Sequence, residues 1–525
     1  MEGNSGLRTG AIHARERTDR SKRTGSGIKI PVFSRSRLIL LLGNLAALLP
    51  LLVFNGTRWS VDSPSILVDG QWTHLGAFLD SYRYFGALIA RLYSLTGHDP
   101  IGNCLPDTIL FILLAGIGTT LLVAGVADHL KIDRPLSVLA LDLAALLSLE
   151  NAWFCEILTF PESIFLSGIG YLLCCLAILF FVRHRSLRGL AASAVCLILS
   201  TAVYQQYIVV FTIFTVSVLG CEILAEETPT AGSAFRKYAG AAAFILGCGA
   251  VYLLAGMLIA KAFGIGGGSR VATQLNDILD NIRFYLLRQH SFLKGRGYFR
   301  TEIMTATVLL CAAAWLALFL RRVRETKRRG AAAVVLLAFA MAYASGYLTG
   351  IISKSHDTRV VFGLFSVFFL FVCGVVSLGR NKWIPISVSC VLAVFLAANI
   401  FAVVKTADYQ KEQNRIDAEN AGRIMQAIED YENAEGVTVR NLYYCYDQKK
   451  EETRFYSMFY YDYSIGPFLI MNSRGYPPKE GEPGLKVSEM PEQIRSRYFA
   501  DKDWTALDPD EQLVFVGDCA YLCVF

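Results

Sequence analysis

Apolar residues in this chain gather into runs of about twenty, the length an α-helix needs to cross roughly 30 Å of hydrocarbon. Eleven runs can be read, near residues 37–54, 107–127, 134–149, 160–182, 188–204, 206–224, 238–263, 302–320, 331–352, 359–378 and 384–404. The third carries Asp142, and the fifth abuts the sixth with no polar break. Of 525 residues, 54% are hydrophobic and only 18% are charged, against about 25% charged in a soluble domain. The fold class expected is a polytopic α-helical membrane protein of about eleven transmembrane helices with a small C-terminal α+β extracytoplasmic domain.

The net charge of +6 says less than its distribution. Nine Lys or Arg crowd the first 38 residues, among Ser and Gly and with no apolar face. Residues 1–36 are therefore expected to be a disordered basic tail on the cytoplasmic side, not a cleaved leader. The positive-inside rule accounts for this charge, so no nucleic-acid partner is expected. Further basic connections, Arg183–Arg188, Arg321–Arg329 and Arg380–Lys382, with Asp128–Arg134 as a weaker member, alternate with the eleven runs if the N-terminus is inside. Segments 55–106, 150–161, 265–301, 353–358 and 405–525 then face out. Residues 37–404 read as the membrane domain and 405–525 as a separate outer unit. In that unit Ile416, Ile424, Ile428 and Tyr431 recur at helical spacing, the alternating stretch from Val437 to Tyr446 reads as a strand, and Val514–Val516 as a partner strand. Gly and Pro make Asn472–Pro483 a loop. The pairs Asp501/Asp503 and Asp508/Asp510 fit a solvated surface. The thirteen Cys form no zinc-spaced cluster; one pair among Cys445, Cys519 and Cys523 can bridge in an oxidising compartment.

The outer segments carry the chemistry. The first holds Trp59, Asp62, Asp69, Trp72, His74, Asp80 and Arg83. It is followed by an amphipathic helix expected over Tyr82–Leu95, with Phe85, Leu88, Ile89 and Leu92 on one face and Arg83 and Arg91 on the other, lying in the plane of the interface. A carboxylate there can take a proton from a sugar hydroxyl attacking a glycosyl phosphate, and an Arg can neutralise the departing phosphate. The second segment has Glu150, Glu156 and Glu162 in apolar surroundings. Pro161 and Glu162 suit a helix start, so Glu162 reads either as a cap or as part of a site. Tyr204, Gln205, Gln206 and Tyr207 at the outer end of a run either line a polar cavity or pair between helices. The later segments are basic, with Arg270, Arg283, Arg288, His290, Lys294, Arg296 and Arg300, then Lys354 and Arg359. They suit an anionic ligand or anionic headgroups of membrane lipids.

Together these residues resemble bacterial membrane glucosyltransferases of the Gtr type II kind, which modify O-antigens and related surface polysaccharides. The resemblance runs from about 37 to 404. It rests on the acidic first outer loop, on Asp80-Ser-Tyr-Arg83-Tyr-Phe-Gly86, similar to the family's Asp-Gly-Arg-aromatic string, on Asn151–Glu162, and on Ser200 with Tyr204-Gln205. The chain departs from the pattern where Ser81-Tyr82 replaces the Gly before Arg83, and where a lone Asp62 replaces an adjacent acidic pair. The resemblance implies a GT-C membrane fold, a polyprenyl-phosphate-sugar donor, a surface polysaccharide or lipid-linked glycan as acceptor, and transfer at the outer face of the bacterial cytoplasmic membrane. The expected base is Asp62, with Asp80 or Glu156 as alternatives. Arg83 and Arg359 are expected at the donor phosphate, and Glu162, Tyr204 and Gln205 around the sugar or lipid. No residue is assigned to a metal and no cofactor is required, with a divalent ion (Mg or Mn) bridging Asp62 and Asp80 left open. The competing class is a lipid-linked saccharide flippase, against which stands the lack of a visible repeat between halves.

Overall fold

The computed structural model describes residues 34–68, 75–102, 104–266, 268, 271–272, 274–299, 301–354, 356–379, 381–447, 457–460, 462–474, 485–500, 502 and 504–524. The basic tail through residue 33, Asp69, Trp72, His74, Arg270, Arg300, Arg380, Asp501, Asp503 and positions 475–483 of the expected loop lie outside these residues.

Each of the eleven apolar runs coincides with helix. Among the described residues, eight helices are long and apolar enough to cross a membrane, from Arg35–Val53 to Trp383–Glu435; Pro135–Leu146, Leu187–Thr201 and Arg329–Ser345 are apolar but shorter. The ninth expected run, 331–352, is not one helix: it ends at Ser345 and resumes as Leu348–Ile351. Gly346 lies where the two pieces meet, and a Cβ there would come within 2.6 Å of Leu364.

The helices pack through small residues, as expected where lipid on the outside removes most of the hydrophobic drive to associate. Cys104–Leu130 runs against Pro161–Arg183. A Cβ on Gly168 would lie 3.0 Å from the Phe111 backbone, and one on Gly118 would lie 3.4 Å from the Leu172 backbone. Polar residues gather at the two ends of the bundle. At one end Asp128 pairs with Arg37 at 2.7 Å and with Arg183 at 3.6 Å, and Glu222 pairs with His129 and Arg185 at 2.6 Å. These are the connections that the charge pattern assigns to a common side.

The last apolar helix does not stop at residue 404. Trp383–Glu435 is continuous over 53 residues, about 80 Å at 1.5 Å per residue, and Gly436 ends it in the left-handed conformation. Its C-terminal half, with Ala421, Ile424 and Ile428, packs into a second hydrophobic core. That core includes a sheet of β1 (Asn441–Tyr446), β2 (Lys486–Glu489), β3 (Leu513–Val516) and β4 (Cys519–Val524), in the order β2-β1-β4-β3. The expected strands at 437–446 and 514–516 are both present but are not neighbours. β3 pairs antiparallel with β4, and β4 pairs parallel with β1. Asp508 caps the short helix Pro509–Gln512.

Close helix approach is the testable feature. Gly168→Ala is expected to destabilise the bundle by about 1–3 kcal/mol through overpacking. Gly240→Ala, at a position with nothing within 4 Å, is expected to lose nothing. Thermal unfolding of the purified protein in detergent checks both.

Candidate active site

The end of the bundle opposite the Asp128 and Glu222 ion pairs gathers the outer-segment residues. Residues 55–62 run as irregular chain into the short helix Ser63–Val68. This loop is clasped by the long helix. Arg58, fully buried, donates from NH1 to Gln410 Oε1 at 3.0 Å and stacks on Phe54 at 4.8 Å. Gln410 Nε2 donates to the carbonyls of Trp59 and Thr159 at 3.2 and 2.7 Å. Asn414 accepts from Trp59 N at 2.9 Å and donates to Trp59 O at 3.2 Å. Asp62 sits at the head of the short helix, its N–H donating to Ser60 Oγ at 3.2 Å.

Glu162, in the first turn of Pro161–Arg183, accepts from Ser60 Oγ at 3.0 Å and Ser63 Oγ at 3.4 Å. Ser60 Oγ, which accepts from the Asp62 N–H, thus joins Glu162 to the Asp62 turn. A second carboxylate beside Asp62 therefore comes from a helix a hundred residues further on, although the first loop lacks an adjacent acidic pair.

Arg359 is fixed from several sides. Its guanidinium pairs with Asp357 at 2.7 Å and stacks on Phe160 at 4.9 Å. Its backbone N–H donates to Glu156 Oε2 at 2.8 Å. Glu156 is buried; its other oxygen accepts from the hydroxyls of Thr358 and Tyr298. Burial pushes the Glu156 carboxyl above the ordinary glutamate range, and the Arg359 guanidinium and the two hydroxyls pull against that rise. A carboxylate that accepts three bonds from two other segments is a fastening.

Tyr204 links the two arginines. Its hydroxyl donates to the Arg359 carbonyl at 3.2 Å, and the Arg83 guanidinium lies over its ring at 4.5 Å. Gln205 accepts from Arg83 Nε at 3.4 Å and donates to Tyr252 Oη at 3.0 Å and to the Ser81 carbonyl. Gln206 holds the start of the 3₁₀ segment Thr358–Ser366 through the Val360 carbonyl and Gly363 N–H.

Asp80 ends the helix Leu75–Asp80, on the turn that leads to Arg83, and its carbonyl accepts from Gly268 N at 2.7 Å. Tyr82 in that turn has φ +56°, a conformation that glycine adopts freely and a bulky residue rarely does. Its side chain is seated against Gly256 and Gly268, where added Cβ atoms would come within 2.9 and 3.0 Å of it. The amphipathic helix therefore starts at Tyr84, two residues later than expected, and runs to Ser94. Phe85 and Ile89 pack on the core, whereas Leu88 and Leu92 are exposed.

Asp62, Glu162, Glu156, Arg359, Tyr204, Arg83 and Gln205 are thus brought into one linked cluster, with Asp80 on its Arg83 side. Sequence reading gave no role to Ser60, Ser63, Phe160, Tyr298, Asp357 or Thr358; the Asp-x-Arg spacing of Asp357 and Arg359 was the one available signal. Among the described residues, no group of three or more His, Cys, Asp or Glu is arranged to hold a metal ion.

No curated protein and no solved structure matches this chain. The family model described as glucosyl transferase GtrII matches residues 51–378, which take in the whole of this cluster, and the chain belongs to that family.

Proposed function

We propose that this protein is a polytopic GT-C-like glycosyltransferase. It moves a hexose, glucose by its family, from a polyprenyl-phosphate-linked donor to a surface polysaccharide or lipid-linked glycan at the outer face of the bacterial cytoplasmic membrane. In this reading the eleven apolar helices all span, the tail 1–36 is cytoplasmic, residues 37–404 form the membrane domain and 405–525 lie outside. The observation that carries the reading is the gathering of the Asp62 loop and Glu162, joined through Ser60, with the Arg83–Tyr204–Arg359 stack, at the bundle end where the helix Tyr84–Ser94 leaves Leu88 and Leu92 exposed.

An acceptor hydroxyl attacks the anomeric carbon of the donor. The bond from that carbon to the phosphate oxygen breaks, Asp62 takes the hydroxyl proton, and polyprenyl phosphate leaves as an anion. Arg83 and Arg359, spaced by Tyr204, hold the phosphate and stabilise its growing charge. Glu162 and Gln205 shape the sugar side. Glu156 is a positioning residue that acts through Arg359.

Transfer of labelled sugar from polyprenyl-phosphate-glucose in membranes tests this. Asp62→Asn is expected to lower kcat by about 10²–10⁴-fold, the usual worth of a general base, with donor KM little changed. Transfer retained by Asp62→Asn removes it as the base. No transfer by the wild type, with donor lipid moving between leaflets instead, makes the protein a flippase.

The Glu156 fastening gives a separate expectation. Glu156→Gln sets an amide donor against existing donors. It is expected to cost about 1–3 kcal/mol of stability and to raise donor KM while leaving the pH profile of kcat in place. A shifted pH profile at unchanged KM makes Glu156 itself a proton-transfer group.

A further inference from the structure

The basic segment 265–301 takes no part in the transfer step proposed above. It folds as the amphipathic helix Leu275–Leu287, the short helix Gln289–Leu293 and a turn at 295–297. Two arginines and a histidine meet there around Phe284. The His356 ring stacks on Phe284 with centroids 4.0 Å apart, and the Arg288 guanidinium lies over the same ring at 4.4 Å. Arg296 lies 5.7 Å from Phe284 and 5.2 Å from Phe292, and donates from NH1 to the His356 carbonyl at 2.8 Å. Asn281 Nδ2 donates to the Ile351 and Ser353 carbonyls at 2.9 Å, which turns its Oδ1 toward His356 Nε2 at 2.7 Å. His356 Nε2 therefore carries a proton and donates it. Burial, then Arg296 and Arg288, hold the His356 imidazole below its ordinary range. The positive charge here thus resides on the two arginines.

Neither arginine has a carboxylate partner among the described residues, although Lys294 pairs with Glu302 at 2.5 Å and Arg359 with Asp357 at 2.7 Å. Unneutralised cations at the outer end of a bundle run against the positive-inside bias. Ring contacts hold these two in place and leave most of their N–H groups to a ligand. The neighbouring surface is apolar. Leu275, Leu279 and Leu286 recur along one exposed side of the helix, Leu287 is exposed next to Arg288, and Leu348 and Ile352 are exposed on the adjoining segment. A helix of this kind seats its leucines among acyl chains and its cations at headgroup level. A free phosphate would use the arginines alone, whereas a lipid phosphate uses both features. We infer that Arg288 and Arg296 bind the phosphate of an anionic phospholipid whose chains lie along the Leu275–Leu287 helix, at a lipid site separate from that of the donor. Through the His356 carbonyl, Arg296 also connects this site to the turn that bears Arg359. The site depends on the membrane placement of this end of the bundle and not on the transfer step.

The test uses the full-length protein in phosphatidylcholine nanodiscs that carry phosphatidylglycerol with a photoactivatable acyl chain. Labelled peptides are mapped after illumination, and unlabelled phosphatidylglycerol, phosphatidylcholine, inorganic phosphate and polyprenyl pyrophosphate are added as competitors. Labelling is expected on peptides covering 275–293 and to fall only with unlabelled phosphatidylglycerol. Arg288 is exposed, so Arg288→Gln serves even if Arg296→Gln fails to fold. Arg288→Gln is expected to lower the apparent affinity for phosphatidylglycerol by about fivefold. Arg288→Lys, which keeps the charge, is expected to restore most of it.

Labelling unaltered by Arg288→Gln, or competition by phosphatidylcholine equal to that by phosphatidylglycerol, overturns the site. Release of the label by inorganic phosphate, or by polyprenyl pyrophosphate more readily than by phosphatidylglycerol, overturns the phospholipid as its occupant. The two readings separate cleanly. Labelling that Arg288→Gln weakens, in a protein that transfers no sugar, keeps the lipid site and removes the transferase. Labelling that Arg288→Gln leaves intact, in an enzyme that transfers sugar, keeps the transferase and removes the lipid site.

Discussion

The Glu156 carboxylate is the contact on which the site depends. It joins three stretches that are far apart in sequence: its own short helix Ala152–Leu158, Tyr298, and the Thr358–Arg359 turn. Burying a carboxylate is costly unless its oxygens are well bonded, and here both oxygens are bonded. That arrangement fixes the turn that bears Arg359, and Arg359 in turn receives Tyr204 on its carbonyl and Asp357 on its guanidinium. Arg83 then rests on the Tyr204 ring. Both cations are thus held in advance, which spares reorganisation when negative charge develops between them.

A second set of contacts reaches the site from the C-terminal half of the chain. Gln410 and Asn414 bond the Trp59 backbone, and Ser464 Oγ donates to the Val61 carbonyl. Trp59 also packs edge-on against Phe468. The loop that carries Asp62 is therefore held between the bundle and the C-terminal core. Because Trp383–Glu435 is one continuous helix, it belongs to both. This gives the C-terminal region a bracing role at the loop.

Much of the architecture was legible because hydropathy and charge act over whole segments. Each expected apolar run coincides with helix, and the basic connections assigned to a common side do gather at one end of the bundle. What stayed hidden depended on single residues. The left-handed Tyr82 is tolerated because Gly256 and Gly268 leave room for its ring, and no local pattern reports that space. The partnership of Asp62 with Glu162 spans a hundred residues, so loop-by-loop reading saw only a lone Asp. Glu162 had read either as a cap or as a site residue; it begins a helix and also lies beside Asp62. β4 escaped notice because Cys519–Val524 is apolar throughout and shows no alternation of polar and apolar residues, although Cys519 and Tyr521 are partly exposed and Ala520, Leu522 and Val524 are buried.

The most direct measurement is a cryo-EM structure of the protein in nanodiscs with polyprenyl-phosphate-glucose bound to Asp62→Asn. The account predicts phosphate density within hydrogen-bonding distance of both Arg83 and Arg359, with the anomeric carbon on the side of residue 62. Phosphate density at the opposite end of the bundle, beside Arg321 and Arg322, would contradict it.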